Sequence, residues 1–214
     1  MSGWADDIAT WVEDLRRRRP VFHSEADFQH ALAWSAHQSN PFLRVRLETR
    51  PSPGMRLDLL LSKPNIDEHL ALELKYLTAA WTGVAENERF ALLNQAAQDI
   101  RAYDVVKDIQ RVEQFVRRPH WSGAVLVLTN DPGYWTRPSH GRTTNAHAFR
   151  IYEGQRIHGR RSWGPNTGPG IMKGRQAAIE VHGDYTCSWS DYSSLPGPRG
   201  RFRLPSIPVA GHSK

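Results

Sequence analysis

Apolar positions recur along this chain with two periods, and the switches between them mark out its elements. From Trp4 to Arg19 the residues Trp4, Ile8, Trp11, Val12 and Leu15 fall at helical spacing, and the run "RRRRP" closes the pattern with cations at a helix C-terminus and a proline beyond. A second helix is predicted from "SEAD", where Ser24 and Asp27 have capping-box spacing with Asp in place of the usual Glu or Gln. It continues through Phe28, Ala31, Leu32 and Ala36, with Glu25 in its first turn. Three strand-like runs follow: "LRVRLETR" from Leu43, "LDLLLS" from Leu57 and "HLALELKYL" from His69, separated by the turn material "PSPGM" and "KPNIDE". A helical stripe is predicted from Asn87 to Arg118, as one helix or two, through Leu93, Ala96, Ala97, Ile100, Tyr103, Ile109, Val112 and Phe115. "GAVLVLT" from Gly123 suits a central strand buried on both faces.

Beyond Asp131 the chain becomes dense in Gly, Pro, Arg and aromatic residues. Short strands are predicted at "AFRIYEG" and within "AAIEVHGDYTCSWSDY", with "HGD" as a hairpin turn. Between Arg156 and Arg175 the irregular stretch reads as a loop, functional or mobile. The expected organisation is an N-terminal amphipathic helix over 1–20, an α/β core over 21–130, and a basic, loop-rich β extension over 131–214 packed on the core in one continuous domain.

With 214 residues the chain can bury one substantial core. It has no run near the ~18 apolar residues that span a bilayer, and "MSGWADDIATW" lacks a signal-peptide layout, so a cytoplasmic protein with no membrane partner is expected. The single cysteine, Cys187, excludes an internal disulfide or a cysteine-rich zinc site and is read as packing filler. Net charge is +6, unevenly placed: from Arg137 to Arg175 eight bases face one acid, Glu153. Such clustering suits a polyanion, with Arg137, Arg142, Arg156, Arg160, Arg161, Lys173 and Arg175 as candidate nucleic-acid contacts; a solvated basic surface is the other reading. His140 and His147 are read as loop residues or phosphate contacts, His30 and His37 as surface or packing residues, and Trp135 and Trp163 as candidates to stack on bases.

Asp58, Glu73 and Lys75 are charges inside otherwise apolar strands. A turn centred near Ile66 pairs residues whose numbers sum to about 132, which sets Asp58 beside Glu73, and alternation puts Glu73 and Lys75 on one face. Adjacent carboxylates in an apolar setting repel unless a cation lies between them. Lys75 supplies part of that charge; Mg²⁺, which takes one or two carboxylates with water and substrate phosphate, supplies more. A plain cross-strand ion pair is the bland alternative. On the next helix Lys107 and Arg111 are read as phosphate contacts or as halves of i,i+3 pairs, Asp104 with Lys107 and Asp108 with Arg111.

Asp58 followed by Glu73-Leu74-Lys75, in a helix, three-strand, helix, strand order, resembles the PD-(D/E)XK nuclease superfamily over about Ser24 to Thr129. The resemblance implies a restriction-endonuclease-like αβββαβ core with a mixed sheet flanked by helices. It also implies a Mg²⁺-dependent nuclease, with Mn²⁺ able to substitute, in which Asp58 and Glu73 bind the metal and Lys75 assists the attacking water. Glu25 matches a supporting glutamate of some branches, and Gln95 or Gln98 a supporting glutamine. The proline that usually precedes the aspartate is Leu57 here. The family further implies DNA as the substrate, a defence or restriction setting, and either a homodimer or a partner protein supplying specificity. A non-cleaving nucleic-acid-binding or regulatory subunit, and an RNA-cleaving enzyme, stay open as alternatives.

Overall fold

The computed structural model describes residues 3–139 and 142–209. Its centre is a six-stranded mixed sheet in the order β1-β2-β3-β6-β10-β9. The strands are β1 (Arg44–Ser52), β2 (Met55–Lys63), β3 (Glu68–Leu77), β6 (Trp121–Thr129), β9 (Trp189–Ser194) and β10 (Arg201–Val209). Only the β3–β6 pair is parallel, and its crossover carries a hairpin, β4 (Trp81–Ala85) with β5 (Glu88–Leu92), and the helix α3 (Gln98–Val116).

Helices cover both faces. On one, α1 (Trp4–Arg18) and α2 (Glu25–Ser39) lay Trp4, Ile8, Trp11, Leu15, Phe28 and Leu32 against Leu59, Leu61, Leu72, Leu74, Leu126 and Leu128. On the other, α3 packs Val105, Val106, Ile109, Val112 and Phe115 against Ala71, Val125, Val127 and Ile207. The alternation within β6 explains why "GAVLVLT" is continuously apolar: successive residues enter different cores. Gly123 permits close contact with α3, because a Cβ there would lie 2.2 Å from Val112 Cγ1. Ser24 caps α2, accepting a hydrogen bond from Asp27 N–H at 3.1 Å, as its spacing predicts.

Several expectations change. The helix expected from Asn87 starts only at Gln98, and Glu86-Asn87 instead form the two-residue turn of the β4–β5 hairpin with φ of +49° and +64°. Two successive positive φ values suit a type I′ turn, and Trp81, Ala85, Phe90 and Leu92 show the period of two that buries one side of this hairpin in the core shared with α1 and α2. "AFRIYEG" holds a 3-10 turn, His147–Phe149, rather than a strand. The strand lies further on, as β7 (Arg156–Arg161) within the expected loop, paired with β8 (Ile179–Thr186). "HGD" is inside β8 as an irregularity rather than a turn: the register jumps from His158 opposite Asp184 to Gly159 opposite Val181, and Glu113 of α3 accepts hydrogen bonds from His182 N–H and Gly183 N–H between them.

The segment expected as an extension supplies β9 and β10 to the main sheet, so residue 130 divides no structural unit. Pro205 and Pro208 disguise β10 as non-strand; Pro205 sits opposite Trp189, where β9 begins. Cys187 is fully buried, and burial pushes its thiol up to about 12, consistent with an inert packing role. Among the described residues no helix is long and apolar enough to cross a membrane.

Candidate active site

The candidate charges meet where β2 and β3 part. Their ladder runs from Lys63 opposite Glu68 to Leu59 opposite Leu72, so paired numbers sum to 131, one less than the turn suggested. Past Leu72 the β2-side edge of β3 has lost its strand partner, and unpaired backbone groups there are costly. Side chains take them over. Leu74 N–H donates to Asp58 Oδ2 at 2.8 Å, and Tyr76 N–H donates to Glu25 Oε2 at 2.9 Å. Gln95 Nε2 donates to Tyr76 C=O at 3.1 Å, and Lys75 Nζ donates to Leu74 C=O at 3.1 Å. Four side chains from four segments are thereby fixed around one cleft of about 560 Å³.

Asp58 is held from behind as well. Glu48, opposite it in β1, has φ +53°, a left-handed conformation uncommon outside glycine. Gln29 of α2, itself buried, donates to the Asp58 carbonyl at 2.7 Å and to Glu48 Oε1 at 3.3 Å. Gln29 was not singled out in the sequence, where a glutamine on an amphipathic helix carries no signal.

Inside the cleft, Glu73 is fully buried and Asp108 of α3 is only 3% exposed. Lys75 Nζ lies 2.9 Å from Asp108 Oδ2, and Arg111 Nη1 bridges Glu73 Oε1 at 2.8 Å and Asp108 Oδ1 at 3.0 Å. The i,i+3 pairing of Asp108 with Arg111 is thus present, but turned inward onto the cleft rather than lying on a solvated helix face. Glu25, Asp58, Glu73 and Asp108 are four carboxylates against the cations Lys75 and Arg111, a surplus of two negative charges among these six residues. Glu73 Oε2 is buried with no hydrogen-bond partner among the described residues. Burial, then the charges of Asp108 and Asp58, push the Glu73 carboxyl up to about 8, although Arg111 opposes this. Burial raises Asp108 too, against the pull of Lys75 and Arg111. Burial alone would lower Lys75, but the carboxylates of Asp108, Glu25 and Asp58 outweigh it and hold the ammonium above its ordinary range.

These residues fit a divalent cation. The surplus charge, the unpartnered Glu73 Oε2 and the Asp58 oxygen not committed to Leu74 N–H are hard oxygen donors, of which Mg²⁺ needs only one or two. Among the described residues no group of three or more His, Cys, Asp or Glu side chains is placed so that it could hold a metal ion.

Other expected site residues lie elsewhere. Gln98 turns away from the cleft and donates to the Asp131 carboxylate, so Gln95 alone of the two glutamines reaches it. Arg156 pairs with Asp184, and Arg160 with Glu180 at 3.2 Å; both acids belong to β8, just past the window in which the bases looked unopposed. Arg161 donates to the Ala148, Arg156 and His158 carbonyls, and Arg175 to those of Ile171 and Lys173. Lys173 is exposed, following the short helix α5 (Pro169–Met172). Trp163 stacks at 5.5 Å on Tyr103 and packs at 4.6 Å against Phe149, while Trp135 packs on Trp189, so both rings serve internal contacts. His30 and His37 are exposed on α2, and His140 lies outside the described residues. No protein-family model, no curated protein and no solved structure matches this chain.

Proposed function

We propose that the protein is a metal-dependent nuclease with a restriction-endonuclease-like core, hydrolysing phosphodiester bonds, with DNA as the first substrate to test. The carrying observation is that Asp58, Glu73 and Lys75, which match the Asp, Glu-x-Lys pattern, line one cleft at the parting of β2 and β3 together with Glu25, Asp108 and Arg111. A solvated ion pair does not account for it, because Glu73 and Asp108 are buried.

Asp58 and Glu73 would hold the metal, which when bound polarises the phosphate and lowers the pKa of a bound water. The other residues contribute through position and charge. Lys75, held as an ammonium by Asp108, acts as a fixed cation that orients the nucleophile and offsets charge developing on the phosphate. Gln95 and Glu25 hold the edge of β3, and with it the spacing between Glu73 and Lys75. Arg56, Arg101 and Lys107 line the mouth of the cleft, where cations draw a phosphate backbone inward.

The test is incubation of labelled double-stranded DNA, single-stranded DNA and RNA with Mg²⁺, Mn²⁺ or EDTA, alongside Asp58→Asn and Lys75→Ala. Metal-dependent product that both variants abolish supports the reading and identifies the substrate. Binding without product on every substrate and metal would replace it with a non-cleaving subunit.

A further inference from the structure

A second site lies beyond the N-terminal end of α3. There, after the short helix α4 (Pro132–Trp135), a cavity of about 360 Å³ is lined by Arg137, Arg142 and Arg150 with Thr143, Thr144 and His147, and among the described residues none of its lining is acidic. Its arginines differ in setting from those of β7. Arg137 lies 5.8 Å over the Tyr152 ring, and Arg142 is exposed. Arg150 is anchored by Asp99 at 3.3 Å, the one carboxylate that touches the group among the described residues. Three guanidinium groups with hydroxyl donors are the chemistry that recognises phosphate oxygens.

A third hollow lies between the cavity and the acidic cleft and shares a lining residue with each. Gln95 lines both the cleft and this hollow at the start of α3, and Arg150 lines both the hollow and the arginine cavity. From Asp99 to Asp108 the helix rises ~1.5 Å per residue, about 14 Å in all. A nucleic-acid strand spans such a distance in a few nucleotides.

We propose that the arginine cavity is a phosphate-binding subsite that holds one phosphate of a nucleic-acid strand a few nucleotides from the bond presented to Asp58 and Glu73. The spacing rests on the nuclease reading; the phosphate site does not. The phosphate is either a strand terminus or an internal diester, and the chemistry of recognition is shared.

The experiment measures binding in EDTA, so that cleavage plays no part. Fluorescent oligonucleotides carrying a 5′-phosphate, a 3′-phosphate or neither are titrated with the wild-type protein, the double variant Arg137→Ala/Arg142→Ala, and Arg156→Ala/Arg160→Ala. Both pairs consist of exposed side chains and remove the same charge from different places. The expected result is a loss of at least about tenfold for the cavity variant and less than about threefold for the β7 variant. A loss confined to end-phosphorylated strands identifies a terminal phosphate, and an equal loss on all strands an internal one. Equal weakening by the two variants, or none by either, overturns the subsite. Absence of cleavage in metal overturns the nuclease reading and leaves the binding result standing. If cleavage occurs, a terminal phosphate sets the cut a fixed few nucleotides in.

Discussion

Glu73 gives the most direct physical test of the charge surplus, because its burial links protonation to folding. Its carboxyl moves from 4.5 to about 8 in the folded, metal-free protein, chiefly through burial and then through Asp108 and Asp58. The sign follows from proton binding. Between these values the unfolded chain has lost the proton while the folded one keeps it, so stability falls as pH rises from about 4.5 to 8 and then levels off. One proton gives a limiting slope of ~1.4 kcal/mol per pH unit, and because the proton is shared with the Asp108–Arg111 system a total of a few kcal/mol is expected. Urea unfolding in EDTA at several pH values, for wild type and Glu73→Gln, isolates this contribution, since other titrating groups are common to both proteins. The wild type should lose stability relative to the variant across the window. Adding Mg²⁺ at pH 8 should restore it in the wild type alone, by ~2.7 kcal/mol at a hundredfold excess over Kd. Parallel pH profiles, or a wild type that gains relative stability with rising pH, would refute the buried-charge reasoning.

Three further outcomes follow from particular contacts. Asp58→Asn keeps an acceptor for Leu74 N–H but loses the charge, so cleavage should fall by at least about a hundredfold while stability changes by less than about 1 kcal/mol, read by kinetics and urea melts. Gly123→Ala should cost about 1–3 kcal/mol, seen as a lower Tm, because the new methyl meets Val112 Cγ1 at 2.2 Å and the Ala71 carbonyl at 3.1 Å beneath α3. Trp163→Ala should cost about 2–4 kcal/mol through lost contact with Tyr103 and Phe149, and should leave oligonucleotide affinity unchanged; a selective loss of binding would instead show that the ring serves nucleic acid.

Local pattern determined a good deal of this protein. The periods of Trp4–Leu15 and Phe28–Ala36, the three apolar runs after Leu43, and the doubly buried "GAVLVLT" are each readable within a short window, because a helix stripe or a strand alternation is a property of neighbouring residues. The same windows exposed Asp58, Glu73 and Lys75 as charges out of place. Tertiary structure decided what those charges face. Where β2 leaves β3, and hence which backbone groups need Asp58, Glu25 and Gln95, depends on pairing across the sheet. The expected sum set Asp58 opposite position 74 and beside Glu73, but it did not show that the ladder stops at Leu59 and Leu72, where the Asp58 side chain takes over Leu74 N–H. Asp108 and Arg111 read as an ordinary exposed pair because their spacing does not tell which side of α3 lies under the sheet. The same limit applied to Arg156 and Arg160, whose acids come from β8, and to β10, whose two prolines argue against the strand that long-range pairing with β6 nonetheless forms. Local chemistry marks where charge is costly; only the meeting of distant segments decides how that charge is balanced.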